Sequence, residues 1–379
     1  MSKCILLAPD SFKGTLSAVD ICEVMKEALL ARFPDSEVIP LPVADGGEGS
    51  VDCLLAALGG KRVSVRVSGP YGQPMDAVYG VLPDRTAVVE TASCAGLPLV
   101  GDDRRPDQAT TYGVGELLRH AAESGCRRIL LGLGGSCTND GGAGAAAACG
   151  VRFFDRNGDA FVPVGGTLRD IASIDRSAMC PALRETELIA LCDVDNPLCG
   201  PSGAAAVFAP QKGADSAMTA RLDDGLRHWA QMVSRCVGTD MLALPGAGAA
   251  GGLGGGAAAL LGAALRRGID TVLDQVGFDR QLSGADLVFT GEGRLDSQSL
   301  RGKVVVGVAR RARSAGVPVV AVVGDAADDA GDAYAEGITA VFSINRLAVP
   351  FEKARPRSRD DLRRTMDDIA RLLTAAGWM

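Results

Sequence analysis

The sequence predicts an α/β protein in which a segmented, doubly wound parallel-sheet domain carries a large inserted second α/β domain. Three observations predict it. Strand-like and helix-like stretches alternate at both ends of the chain, the order that a parallel sheet covered by helices requires. The length, 379 residues, favours two domains over one. Four acidic, glycine-punctuated turns recur: Ala8-Pro9-Asp10-Ser11-Phe12-Lys13-Gly14, Ala44-Asp45-Gly46-Gly47-Glu48-Gly49, Thr138-Asn139-Asp140-Gly141-Gly142 and Thr290-Gly291-Glu292-Gly293-Arg294-Leu295-Asp296. Each follows, or nearly follows, an apolar strand-like run and precedes a helix-like one. That is where open α/β sheets bind ligands, outside the carboxyl ends of their strands.

Taken in order, Cys4 to Ala8 reads as a strand. A helix is expected from about Ser17 to Arg32, since Ser17-Ala18-Val19-Asp20 suits a cap followed by an acid in the first turn. Val38 to Val43 is a second strand whose prolines suggest an edge position, and Glu48 to Leu58 a second helix. From near Gly60 the pattern changes. Val63 to Val67 and Asp76 to Val81 alternate polar and apolar around the turn Gly69-Pro70-Tyr71-Gly72, which predicts antiparallel hairpin strands, with Thr86 to Glu90 as a third. A helix at Gly113 to Ser124 and a strand at Arg128 to Leu133 follow. The opening style returns with a strand at Leu287 to Thr290, a helix at Lys303 to Ala315, strands at Val317 to Val323 and Ile338 to Phe342, and a closing helix from Arg359 to Ala375. The expected boundaries are residues 1–60 with 278–379 for a flavodoxin- or Rossmann-like domain, and 61–277 for the insertion.

Composition excludes several functions. A net charge of −7 and a pI near 5.1 argue against a nucleic-acid surface, which needs a basic stripe. Aromatic residues are only 4% and apolar residues 47%, so the cores must lean on Ala, Val, Leu and Gly. Eleven cysteines without CxxC spacing read as reduced core residues of a cytoplasmic protein. The strand that starts at Lys3 leaves no room for a signal peptide. The uncharged stretch Met241 to Leu265 is too rich in Gly, with Pro245 inside it, to span a membrane as a helix. It reads as a backbone-lined loop running into a buried helix.

Two histidines, His120 and His228, both fall inside expected helices, so a histidine triad or metal site is not supported. Lysine is scarce, and Lys13, Lys212 and Lys303 each adjoin a glycine in a loop, which suits a compact charge on phosphate or carboxylate. No GxxxxGK[ST] exists. Gly246-Ala247-Gly248-Ala249-Ala250-Gly251 matches GxGxxG, but neither a good strand before it nor a ribose-binding acid after it supports a dinucleotide site. A nest of backbone N–H groups for polyphosphate fits it better, and Gly134-Gly135-Ser136 could be another. Asp10, Asp45, Glu48, Asp140, Asp193, Asp195, Glu292 and Asp296 all lie in or beside turns. Carboxylates facing phosphates point to a divalent metal, with turn shaping or helix capping as the alternative for Asp45 and Asp140, which precede Gly-Gly. Asp193, closing the run Leu188 to Leu191, is the preferred base, with a turn cap as its alternative. The chain reads as a Mg-nucleotide enzyme without a P-loop.

Seven stretches, in order along nearly the whole chain, resemble the bacterial type I glycerate kinases. They are Ala8 to Ala18, Pro42 to Gly49, Gly134 to Gly144, Cys192 to Leu198, Phe208 to Ala214, Pro245 to Gly254, and Thr290 to Gly293 with Asp296, Gln298, Gly302 and Lys303. Cys137 and Ala209 are small departures that replace no charged group. The resemblance implies phosphorylation of D-glycerate by ATP with Mg²⁺, usually to 2-phosphoglycerate, at a site between two domains. On this reading Lys13 and Arg66 hold the glycerate carboxylate, and Asp193 accepts or orients the attacking hydroxyl, with Lys13 and Asp45 beside it in the catalytic set. Asp10, Ser11, Asn139, Asp140 and Asn196 complete the substrate site. Glu292 or Asp296 holds Mg²⁺. Gly246, Gly248, Gly251, Gly252, Gly254, Lys212 and Lys303 cradle the ATP phosphates. The expected partners are ATP and glycerate, with a homodimer possible and no nucleic acid or membrane. Two competing readings are a nicotinamide-dependent hydroxy-acid oxidoreductase, resting on GxGxxG, and a non-catalytic nucleotide or metabolite sensor.

Overall fold

A computed structural model describes residues 2–297, 299 and 303–378. The chain divides into two compact units: Met1–Asp45, Asp52–Gly59 and Ile269–Met379 form one, and Gly46–Val51 and Gly60–Gly268 the other.

The first unit is built on a five-stranded sheet. Across the sheet the strands run Ala340–Ser343, Val319–Val323, Leu287–Gly291, Cys4–Pro9, Glu37–Pro40, and every neighbouring pair is parallel. Successive side chains point to opposite faces. Ile5, Leu7, Phe289, Val320 and Val322 share one face and pack against the helices Ala18–Arg32 and Ser358–Ala375 through Ile21, Met25, Leu29, Met366 and Ile369. Leu6, Val288 and Ala321 alternate with them and are also buried, which is why these strands read as continuous apolar runs. The helix Val304–Ser314 packs on Leu287–Gly291 and Val319–Val323.

Local chemistry sets the ends of these elements. The first helix begins in a capping box: the Asp20 N–H donates to Ser17 Oγ at 3.1 Å and the Ser17 N–H to Asp20 Oδ2 at 3.3 Å. Glu37–Pro40 is the edge strand, as Pro40 and Pro42 suggest. The strand expected from Val317 starts at Val319, because Pro318 has no N–H to give a ladder. Its carbonyl still accepts from Val288 N at 3.0 Å.

The second unit holds a six-stranded mixed sheet in the order Ala264–Arg266, Glu187–Leu191, Arg128–Gly132, Thr86–Glu90, Pro74–Val81, Lys61–Ser68. The hairpin Lys61–Ser68 with Pro74–Val81 is antiparallel, as the alternation predicts. Thr86–Glu90 is the expected third strand and also has a second, parallel neighbour. It is antiparallel to Pro74–Val81 and parallel to Arg128–Gly132, so it joins the hairpin to the parallel strands. A strand buried between two neighbours reads as apolar whatever their direction, which hid the junction. No helix among the described residues is long and apolar enough to cross a membrane.

Candidate active site

A cavity of about 630 Å³ opens in the first unit, within the range of small-molecule sites. Its lining comes from the segments that leave the carboxyl ends of the five parallel strands. Asp45 follows the edge strand; Asp10, Ser11 and Lys13 follow Cys4–Pro9; Glu292, Arg294 and Asp296 follow Leu287–Gly291. Gly324 and Asp325 follow Val319–Val323, and Ile344 and Asn345 follow Ala340–Ser343. Parallel strands all end on one side, so this topology alone converges these turns.

Backbone hydrogen bonds tie the turns together. Asp10 N donates to Gly291 O at 2.8 Å, Gly324 N to Glu292 O at 3.0 Å, and Asp325 N to Gly293 O at 3.1 Å. Glycine is required at Gly291, where a Cβ would lie 2.1 Å from Val322 O, and at Gly324, where it would lie 2.4 Å from Gly293 O. Small residues here let three turns stack and crowd their acids.

That crowding has an electrostatic consequence. Asp10 is only 8% exposed and Glu292 only 5%. Burial pushes the Asp10 carboxyl up to about 7 and the nearby Asp45 charge adds to the push, against the hydrogen bond from Ser11 N at 2.6 Å. Burial likewise pushes Glu292 up to about 7, with a hydrogen bond from Ser299 and the Lys303 charge opposing it. Glu292 Oε1 has no hydrogen-bond partner among the described residues. Lys13 and Lys303 also line the cavity, and Lys303 occupies the N-cap of Val304–Ser314. The positive end of that helix therefore opens at the site. Arg294, Asp325, Asn345 and Arg355 line it as well. Sequence reasoning missed them, although Asp325 repeats the strand–glycine–acid pattern of the other turns.

The remaining expected residues belong to the second unit. Arg66 lies exposed on Lys61–Ser68, paired with Asp76 at 3.3 Å. Asp193 Oδ1 accepts from Gly268 N at 2.9 Å, and Asn196 Nδ2 donates to Ser202 O at 2.8 Å. Asn139 is fully buried, and neither atom of its carboxamide has a partner among the described residues. Asp140, expected to touch substrate, is fully buried and accepts from Thr111 N and Oγ1, Gly142 N and Gly144 N. Those four donors make it the brace of its own turn. Lys212, expected on phosphate, is 2% exposed and donates to Ser136 Oγ at 2.9 Å and Thr138 O at 2.7 Å. Its burial pushes its pKa down to about 8.

The glycine run Gly246 to Gly254 has a packing explanation. A Cβ on Gly248 would lie 2.3 Å from Pro197 O, on Gly251 2.0 Å from Thr138 O, and on Gly252 2.9 Å from Gly141 Cα. No strand leads into the run; turns occupy 241–248, so the dinucleotide reading lacks the strand it needs. The run continues into the buried helix Leu253–Leu261. Both histidines have partners: His120 Nδ1 with the Tyr79 hydroxyl at 3.0 Å, and His228 Nε2 with Ile171 O at 2.8 Å. All eleven cysteines are free thiols. Gln298 and Gly302, which carried part of the resemblance, lie outside the described residues.

The model of the Glycerate kinase family matches residues 5–374. The chain belongs to the glycerate kinase family. Among its relatives in that family, the glycerate kinase of Bacillus subtilis (strain 168) is 46% identical over 377 residues, covering 99% of each chain. The glycerate 2-kinase of Escherichia coli (strain K12) is 41% identical over 371 residues, covering 97% of each. The crystal structure of a Salmonella typhimurium LT2 protein assigned as glycerate kinase 2 superposes with a TM-score of 0.89 at 40% identity, covering 100% of both chains.

Proposed function

We propose that the protein transfers the γ-phosphoryl group of Mg-ATP to D-glycerate and releases 2-phosphoglycerate. One observation carries the reading: a single cavity joins buried acids from neighbouring strand ends to two lysines and a helix N-terminus. Phosphoryl transfer asks the protein mainly for positioning and charge neutralisation, and this set offers both. The name of the E. coli relative, a glycerate 2-kinase, supports the C2 hydroxyl as the acceptor.

The residues fit a divalent cation. Glu292 Oε1 has no partner among the described residues, and burial makes negative charge at Asp10 and Glu292 costly, a cost that a bound cation relieves. Glu292 and Asp296 would hold Mg²⁺, which favours one or two carboxylates together with substrate phosphates. When bound, the metal supplies neutralisation of the charge on the phosphoryl group.

This chain's own residues do the rest. Lys303 and the N-terminus of Val304–Ser314 bind phosphate oxygens, and Lys13 and Arg66 pair with the glycerate carboxylate. Asp10, Ser11, Asn139 and Asn196 orient its hydroxyls, with Asp45 beside Asp10. Asp193 takes the proton from the C2 hydroxyl, its carboxylate oriented by the Gly268 N–H. Packing accounts for the Gly246–Gly254 run and internal hydrogen bonds for Lys212 and Asp140, so these stay outside the ligand set. In the same reading the first unit is a segmented doubly wound domain, the second an inserted α/β domain, and the protein works in the cytoplasm, where free thiols persist.

A phosphorus NMR time course with Mg-ATP and D-glycerate, with L-glycerate as control, tests the activity. The expected product is a phosphomonoester coupled to the C2 proton. Coupling to the C3 methylene would move attack to the primary hydroxyl, and no ester from either enantiomer would sink the reading. For the base, Asp193→Asn is expected to lower kcat about 100-fold or more while KM for Mg-ATP stays within about twofold. An unchanged kcat would remove Asp193 from that role.

A further inference from the structure

The cavity has two chemically different ends. Its acids and lysines follow the strands Glu37–Pro40, Cys4–Pro9 and Leu287–Gly291, whereas an apolar wall follows the opposite edge strand, Ala340–Ser343. Three strand spacings separate Cys4–Pro9 from that edge, roughly 14 Å at about 4.8 Å each. The wall is formed by Ile344, Val349, Phe351 and Ala354, with Asn345 and Arg355 among them.

Phe351 is 59% exposed and lines the cavity together with Ile344 and Val349, so its ring is open to a ligand there. Arg355 follows four residues later, across the short helix Phe351–Ala354 and the turn Arg355–Arg357, and lines the same cavity. Residues four apart share a helix face. A phenyl ring and a planar guanidinium lining one cavity are both groups on which a flat, aromatic ligand can stack.

We infer that the segment Ile344 to Arg355 is the nucleobase subsite of this cavity, with Phe351 stacking on the base while Lys303 holds the phosphates. The inference rests on the Mg-ATP reading above and adds the residues that recognise the nucleoside end. The occupant follows from the cavity's polarity: one molecule must satisfy an anion-binding end and an apolar, aromatic end about three strands away. A nucleoside triphosphate has both; glycerate has only the first.

The test measures binding of Mg-ADP and of inorganic tripolyphosphate by calorimetry, with steady-state kinetics on Phe351→Ala and Phe351→Trp. Phe351→Ala is expected to weaken Mg-ADP and raise KM for Mg-ATP about tenfold, the scale of one base–aromatic stack. Tripolyphosphate affinity and KM for glycerate should stay within about twofold. Phe351→Trp should restore nucleotide affinity. Since Phe351 is largely exposed, its truncation should leave the fold intact, which the melting temperature checks. Unchanged Mg-ADP binding in Phe351→Ala, or an equal loss for tripolyphosphate, would overturn the subsite and leave the kinase reading standing. A wild-type protein that binds neither ligand would remove both.

Discussion

Glu292→Gln is expected to lower kcat by about two to three orders of magnitude, the scale on which a preorganised charge acts in a transition state, and yet to stabilise the protein at pH 8. The sign follows from the direction of the shift. Burial raises the folded carboxyl to about 7 from the ordinary 4.5, so the folded state holds its proton more tightly than the unfolded chain does. The stability linked to that proton is complete below pH 4.5 and is lost as pH rises through 7. At pH 8 the wild type therefore carries a charge penalty on the order of 1–3 kcal/mol, which Gln lacks. Melting curves at pH 8 and pH 4.5 should show the variant more stable at the first and no more stable at the second. Added Mg²⁺ should raise the wild-type melting temperature at pH 8 and have much less effect on the variant. Equal melting temperatures at pH 8, or an equal Mg²⁺ response, would detach Glu292 from both the charge penalty and the cation.

Gly251→Ala should be the most destabilising small substitution in the second unit. Gly251 has φ +68°, a conformation costly for a residue with a Cβ, and the added atom would sit 2.0 Å from Thr138 O and 2.7 Å from Asn139 Cα. Both contacts are backbone, so relief requires the loop to separate from the Thr138-Asn139-Asp140 turn. A loss of about 4 kcal/mol or more in urea unfolding is expected, at the exceptional end for a point substitution. If the glycine instead serves only to admit a phosphate, the variant will unfold at the wild-type urea concentration and lose only nucleotide affinity. The two outcomes separate a packing glycine from a ligand-cradling one, a distinction that GxGxxG in a sequence does not contain.

The same distinction shows how far the sequence could be read. The strand–turn–helix order of both ends was legible because parallel strands buried on both faces are continuous apolar runs and helix caps are local chemistry, as in Ser17 and Asp20. The family was legible because seven motifs recur in order, and their matching residues are read one at a time. The antiparallel hairpin Lys61–Ser68 with Pro74–Val81 was legible from alternation. The third strand, Thr86–Glu90, was legible too, but its parallel pairing with Arg128–Gly132 was not, since periodicity records burial and leaves strand direction open.

Side-chain roles depended on tertiary structure, for a reason visible at three residues. Asp10, Asp140 and Lys212 are all polar groups in glycine-rich turns, equivalent candidates by sequence. Folding gives Asp140 four hydrogen-bond donors and Lys212 two acceptors, which satisfies them internally. It leaves Asp10 crowded against Asp45, in one cavity with Glu292 and two lysines. Phe351 carried no sequence signal, because a lone phenylalanine near the end of a chain resembles any other core residue until its exposure is known. The elements, the family and the pool of chemical groups could be read along the chain, because all of them rest on local patterns. Which groups are satisfied by the protein and which remain to meet a ligand was decided only in the tertiary structure, because hydrogen-bond partners and desolvation come from residues distant in the chain.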